Sequence, residues 1–207
     1  MMFFTNPPRI PRVRQRLAMV RQMTSLMERE MLTLSDDLVY ERENWINAYI
    51  DYGNSASFDG NRTTAYRGVA LADGTLFWLV RHKDKKYGYH STEDDPLAAV
   101  EEAELAWQRR KEIRGQWDQV EALARDLLLG RRTFRVGIED AYASPLCTMG
   151  VEAFLKRLRL QNIREVSGRF AAILMTFDAQ VGFVIHQAFL RHANEQTEQI
   201  GGLQSHV

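Results

Sequence analysis

Residues 66–91 concentrate basic side chains: Arg67, Arg81, Lys83, Lys85 and Lys86 stand against only Asp73 and Asp84, a local charge of +3. Grouped guanidinium and ammonium ions neutralise phosphates, and arginine can also grip a guanine edge bidentately. The whole chain balances 27 Lys+Arg against 27 Asp+Glu, so a polyanion would have to be held by a local surface. Other reactive side chains are sparse. Cys147 is the single cysteine, which excludes an internal disulfide framework and a multi-cysteine zinc site. A Cys147–His186 thiolate pair is conceivable, but beside Leu146 and Met149 a small buried hydrophobe is the expected role. His82 and His90 flank a turn without a carboxylate set, and surface positions are expected for both. Asp178 and His186 share a helical face, where a solvated stripe is the default. There is no phosphate-cradling glycine loop, nucleophile elbow or helical zinc-protease motif. No catalytic, cofactor-binding or metal-ligating residue is therefore assigned, and the chain reads as non-enzymatic.

The elements that must position the basic cluster are three short β-like runs and a helix. Residues 66–71 end at Asp73-Gly74, a strong hairpin signal. Residues 75–83 are rich in aromatic and β-favouring types, Asp84-Lys85 makes a second turn, and 86–91 complete a meander. In the middle run, Leu76, Trp78 and Val80 alternate with Phe77, Leu79 and Arg81. A strand apolar on both faces is the pattern of burial on both sides. Helix signals follow: Thr92 or Ser91 as cap, Pro96 in the first turn, and Glu93, Asp94 and Asp95 at the positive end of the dipole. Val100, Ala103 and Trp107 line one face. The helical pattern continues to Leu129 and stops at Gly130, with a break or kink expected at Gly115.

Tyr66-Arg67-Gly68-Val69, then Gly74, the aromatic strand ending Val80-Arg81, Tyr87-Gly88-Tyr89, and Thr92 leading to Ala98-Ala99-Val100 and Ala103 together resemble the AP2 and integrase-arm type of DNA-binding domain. The resemblance covers about one fifth of the chain, 64–107, and includes no catalytic motif. It implies a three-stranded antiparallel sheet packed on one helix, entering the DNA major groove with side chains at Arg67 and Arg81.

Upstream, residues 1–12 read as a loose arm, and 13–34 as a basic helix with an apolar stripe that includes Leu17, Val20, Met23, Met27 and Met31. Ser35, Asp36 and Asp37 resemble a helix start, and Leu38, Val39, Trp45, Ile46, Tyr49 and Ile50 fit one face of a second helix ending near Gly53. Residues 53–64 read as the loop closing this first domain. The second domain would then span 64–130, a C-terminal helical region 131–194, and a tail 195–207. Within 138–160 a helix-turn-helix can be drawn, presenting Lys156, Arg157 and Arg159. From 164 to 194 one long helix is expected, with Phe170, Leu174, Phe177 and Val181 on an apolar stripe suited to a core or an oligomer interface. Asp178 in its middle argues against a membrane span.

The fold class expected is thus α+β: a small three-stranded antiparallel sheet with one packed helix, embedded among several long helices. The leading expectation is a cytoplasmic DNA-binding regulator or mobile-element accessory factor. The alternative is an adaptor or phage-type inhibitor that meets a protein partner, or a second copy, through its helices.

Overall fold

The computed structural model describes residues 38–43 and 46–204. The helix expected over 13–34, with Leu17, Val20, Met23, Met27 and Met31, lies outside the described residues. The chain divides into two compact units, residues 1–100 and 101–207.

The first unit is built on a five-stranded antiparallel sheet in sequential order: β1 (Leu38–Glu43), β2 (Ile46–Phe58), β3 (Thr63–Ala70), β4 (Leu76–His82) and β5 (Tyr89–Ser91). The expected three-stranded sheet is therefore corrected. Leu38–Glu43 and Ile46–Phe58 form two further strands where a helix and a loop were expected. The apolar positions of this stretch do fit helical spacing, but Ile46, Ala48 and Ile50 also alternate at period two and are buried, with exposed Asn47 between them. The β-branched and aromatic content (Val39, Tyr40, Ile46, Tyr49, Ile50, Tyr52) suits a pleated, half-buried surface. Pairing with β3 then supplies every second backbone group with a partner that an isolated helix would have found within itself.

β2 is long because it absorbs an irregularity. Its register against β3 jumps between Asp51↔Arg67 and Ser55↔Tyr66, so Tyr52, Gly53 and Asn54 bulge from the ladder. The Asp51 carboxylate accepts the Gly53 N–H at 3.1 Å and fixes the bulge. A one-turn 3₁₀ helix, Asp59–Asn61, links β2 to β3, with φ of 54°, 60° and 67° at Asp59, Gly60 and Asn61. Asp, Gly and Asn are the residue types that enter this left-handed region most readily. The β3–β4 turn follows the Asp73-Gly74 signal: Gly74 has φ 79°, and the Asp73 carboxylate accepts the Thr75 N–H at 3.0 Å.

In β4, Phe77, Trp78, Leu79 and Val80 are all buried, so both faces of this strand are covered. Gly68 of β3 is opposite Phe77, and a Cβ on it would lie 2.7 Å from Phe77 Cζ and 2.9 Å from Ile50 Cδ1. Glycine is required here so that the Phe77 ring can lie across the neighbouring strand. The helix α1 (Pro96–Arg114) begins with Pro96 as its first residue. Asp95, rather than Ser91 or Thr92, caps it by accepting the N–H groups of Leu97 (2.9 Å) and Ala98 (3.1 Å).

The second unit is mainly helical. Helix α1 ends at Arg114 beside Gly115, and α2 (Trp117–Leu128) follows. Gly130, at φ 70°, closes α2: its N–H reaches Leu127 O and the Arg131 N–H reaches Asp126 O at 2.8 Å, a Schellman motif. A two-stranded sheet joins β6 (Arg135–Gly137) to β7 (Glu165–Ser167), with α3 (Ile138–Ala143) and α4 (Thr148–Arg157) between them. The single helix expected over 164–194 is instead β7, α5 (Gly168–Phe177) and α6 (Val181–Gln204). Asp178 breaks it, with extended φ/ψ and a carboxylate that accepts the Gln180 N–H at 2.9 Å. The core joins Leu123, Ala124 and Leu127 of α2 with Ala171 and Ala172 of α5 and Val184, Ile185 and Ala188 of α6. A smaller cluster centres on Phe183, which meets the Trp117 ring at 5.3 Å.

Buried Asp140 ties the second unit's small elements together. Its carboxylate accepts the Gly137 N–H at 2.7 Å and the Arg191 guanidinium at 2.8 and 3.0 Å, joining β6, α3 and α6. Arg191 also donates to Arg135 O and to Glu195, and its bonds to Asp140 first and Glu195 second hold its pKa above the ordinary arginine value.

Candidate nucleic-acid interface

Where β3 begins and β4 ends, residues of the 3₁₀ turn and of the β4–β5 connection line an open cleft of about 360 Å³. Four of the five basic residues singled out by the sequence line it: Arg81, Lys83, Lys85 and Lys86. Arg62 joins them, with Thr64 and Tyr66 from β3. Five cations thus converge on one concavity of the first unit, and among the described residues no carboxylate lines it.

The β3–β4 register explains the convergence. Thr64 pairs with Arg81 and Tyr66 with Leu79, so these side chains share one face of the sheet. The Lys83 N–H bonds to Arg62 O at 3.0 Å, which ties the 3₁₀ turn to the end of β4. The turn that carries Lys85 is closed by its N–H to His82 O at 3.0 Å, and His82 Nδ1 accepts the Asp84 N–H at 3.1 Å.

Two acids hold two of the arginines from outside the cleft. Arg62 meets Asp84 at 2.5 Å, and this contact lowers the Asp84 carboxyl below its usual range. Both partners are exposed, so the pair orients Arg62 more than it stabilises the fold. Arg81 donates to Glu41 at 2.5 Å and to the Tyr52 hydroxyl at 3.0 Å, and Tyr52 in turn donates to Glu41. Burial and the Glu41 carboxylate push the Tyr52 phenol up to about 12, so it stays a neutral donor and acceptor. Tyr52 comes from the β2 bulge, so that irregularity supplies the residue that steadies Arg81. Its ring also meets Tyr66 edge-on at 5.0 Å. Lys86 Nζ lies 5.1 Å from the ring of exposed Tyr87.

Arg67 is elsewhere. It pairs across the ladder with Trp78 and Asp51 on the opposite face, is only 7% exposed, and its guanidinium lies 4.9 Å from the Trp78 ring. It is a packed residue of the sheet. Strand parity separates it from Arg81, fourteen positions later but on the other face. Arg62 lies in 53–64, which reads as a loop in the sequence; its placement depends on the pairing of β2 with β3.

The remaining candidates are dispersed. His82 pairs with Thr63 and His90 with Leu79, on opposite faces, and buried His90 stacks edge-on against Phe77 at 5.4 Å. Among the described residues no three His, Cys, Asp or Glu side chains converge as a metal site. His186 Nδ1 is buried without a hydrogen-bond partner, so this nitrogen bonds neither Cys147 nor Asp178. Burial lowers the His186 pKa below its ordinary value. The unfolded chain therefore takes up this proton first on acidification, so the stability contribution is intact above pH ~6.5 and is lost as pH falls through the folded value. Thermal melts between pH ~7 and ~5 should show a declining midpoint that His186→Gln flattens. An equal decline in the variant would remove His186 as the cause.

Lys156, Arg157 and Arg159 are exposed at the end of α4 and just beyond it. Of the apolar stripe expected over 164–194, Val181 is buried, Leu174 packs against the core, and Phe170 and Phe177 are exposed, Phe177 to 73%. The break at Asp178 puts the two halves of that stripe on different helices. Among the described residues no helix is long and apolar enough to cross a membrane. Compared with known protein families, curated proteins and solved structures, the chain matches no family model, no curated protein and no solved structure.

Proposed function

We propose that the first unit binds DNA, holding its phosphates in the cationic cleft between the 3₁₀ turn and the β4–β5 connection. The observation that carries this reading is the convergence of Arg62, Arg81, Lys83, Lys85 and Lys86 on one concavity that, among the described residues, no carboxylate lines. Asp84 and Glu41 pair with Arg62 and Arg81, so the five cations and their two acid partners keep a net charge of +3, an excess of one sign that raises the local concentration of counter-charged ligand. The AP2-type resemblance of 64–107 points the same way, but the mode of contact differs. The middle strand is buried on both faces and Arg67 is packed on Trp78, so the contacts are to phosphate and not to base edges across an open sheet.

Fluorescence anisotropy with duplex and single-stranded DNA across a salt series tests this. The logarithm of the wild-type binding constant should fall linearly with log salt, and Lys83→Gln with Lys86→Gln should reduce that slope by about 2. Arg67→Ala should leave binding unchanged while lowering stability. Absence of binding at low salt, or a slope untouched by the double variant, would sink the reading.

A further inference from the structure

From the shape of the cleft and from Tyr66 on its wall, we infer that the site takes a single-stranded segment, one nucleotide at a time, with a base stacked on Tyr66 and its phosphate among Lys83, Lys85 and Lys86. This rests on the DNA-binding reading above and adds the form of the nucleic acid.

Three features carry it. The first is volume: about 360 Å³ is at the lower end of small-ligand sites, which run about 300–1,000 Å³. A concavity of that size admits a mononucleotide unit, whereas a duplex presents a convex double backbone that would span its mouth. The second is the aromatic wall. Tyr66 is half-buried, lines the cleft, and is braced by the edge-on Tyr52 ring at 5.0 Å. A ring held in one orientation loses little freedom when a base stacks on it. The third is the pairing of that ring with cations, the combination by which single strands are held without sequence preference. Tyr66 shares its sheet face with Arg81, which is fixed by Glu41 and Tyr52 and so does not collapse onto the ring.

The test measures anisotropy of labelled oligothymidine and of a blunt duplex of the same length against the full chain. The single strand should bind more tightly than the duplex. Tyr66→Phe should keep that preference, and Tyr66→Ala should weaken the single strand roughly 5- to 150-fold while leaving the duplex unchanged. Because Tyr66→Ala also removes the ring contact with Tyr52, oligothymidine carrying 5-iodouracil is photocrosslinked to the wild-type chain, and the expected adduct is on the peptide that contains Tyr66. Equal binding of both DNA forms, a neutral Tyr66→Ala, or an adduct elsewhere would overturn this inference. If in those cases the salt slope still responds to Lys83 and Lys86, phosphate binding by the cleft stands. If neither DNA form binds, both readings fall together.

Discussion

Phe77→Ala should destabilise the chain by about 3–5 kcal/mol, measured as a lower urea midpoint. The ring is fully buried and lies across Gly68, with Ile50 and His90 beside it. Removing it empties a space enclosed by a backbone that hydrogen-bonded strands hold in place, so collapse around the cavity is limited. Gly68→Ala is the converse change. Its new methyl would meet Phe77 Cζ at 2.7 Å, and overpacking of this kind costs about 1–3 kcal/mol. Since both changes act on the same space, they should not add: Gly68→Ala should cost less once Phe77 is alanine, with the approach to Ile50 Cδ1 at 2.9 Å remaining. A loss under about 1 kcal/mol for Phe77→Ala, or strict additivity, would contradict the packing described.

In the second unit the largest effect is expected at Asp140. Its side chain is 3% exposed and accepts three hydrogen bonds, from Gly137 and twice from Arg191. Removing one partner of a fully buried pair costs about 3–5 kcal/mol, but Arg191 is 39% exposed and can turn to water, so Asp140→Ala should cost roughly 2–3 kcal/mol. Asp140→Asn keeps one acceptor and should recover part of that. Chemical denaturation gives the magnitude, and hydrogen exchange at the Gly137 amide gives the locus. A variant as stable as the wild type would show that β6 and α3 are held by other contacts.

The legible parts of this fold are those whose signals are local. Asp73-Gly74 forms the tight turn, Pro96 starts α1, Gly115 interrupts the helices and Gly130 closes α2, each for reasons contained within a few residues. Residues 38–58 were illegible for the opposite reason. Their apolar positions satisfy both helical and strand periods, and the choice is made by β3, a partner distant in sequence. The break at Asp178 carries no proline or glycine; its only local mark is an Asp able to accept an N–H two residues on. The site was partly legible. Lys83, Lys85 and Lys86 cluster because they share one turn, whereas Arg62 joins them and Arg67 leaves them through strand register, which spacing alone does not disclose.

The bulge at Tyr52–Gly53–Asn54 bears on chain length. Residues on either side of it are locked into the ladder, from Asp51 against Arg67 and from Ser55 against Tyr66, while the three between belong to no register. An insertion or deletion there is absorbed before it reaches either flank, so no other side chain of β2 changes face. Elsewhere in the same strand, one added residue would turn Ile46, Ala48 and Ile50 toward the opposite side. β2 can therefore vary in length at this point, provided that a tyrosine remains to hold Arg81.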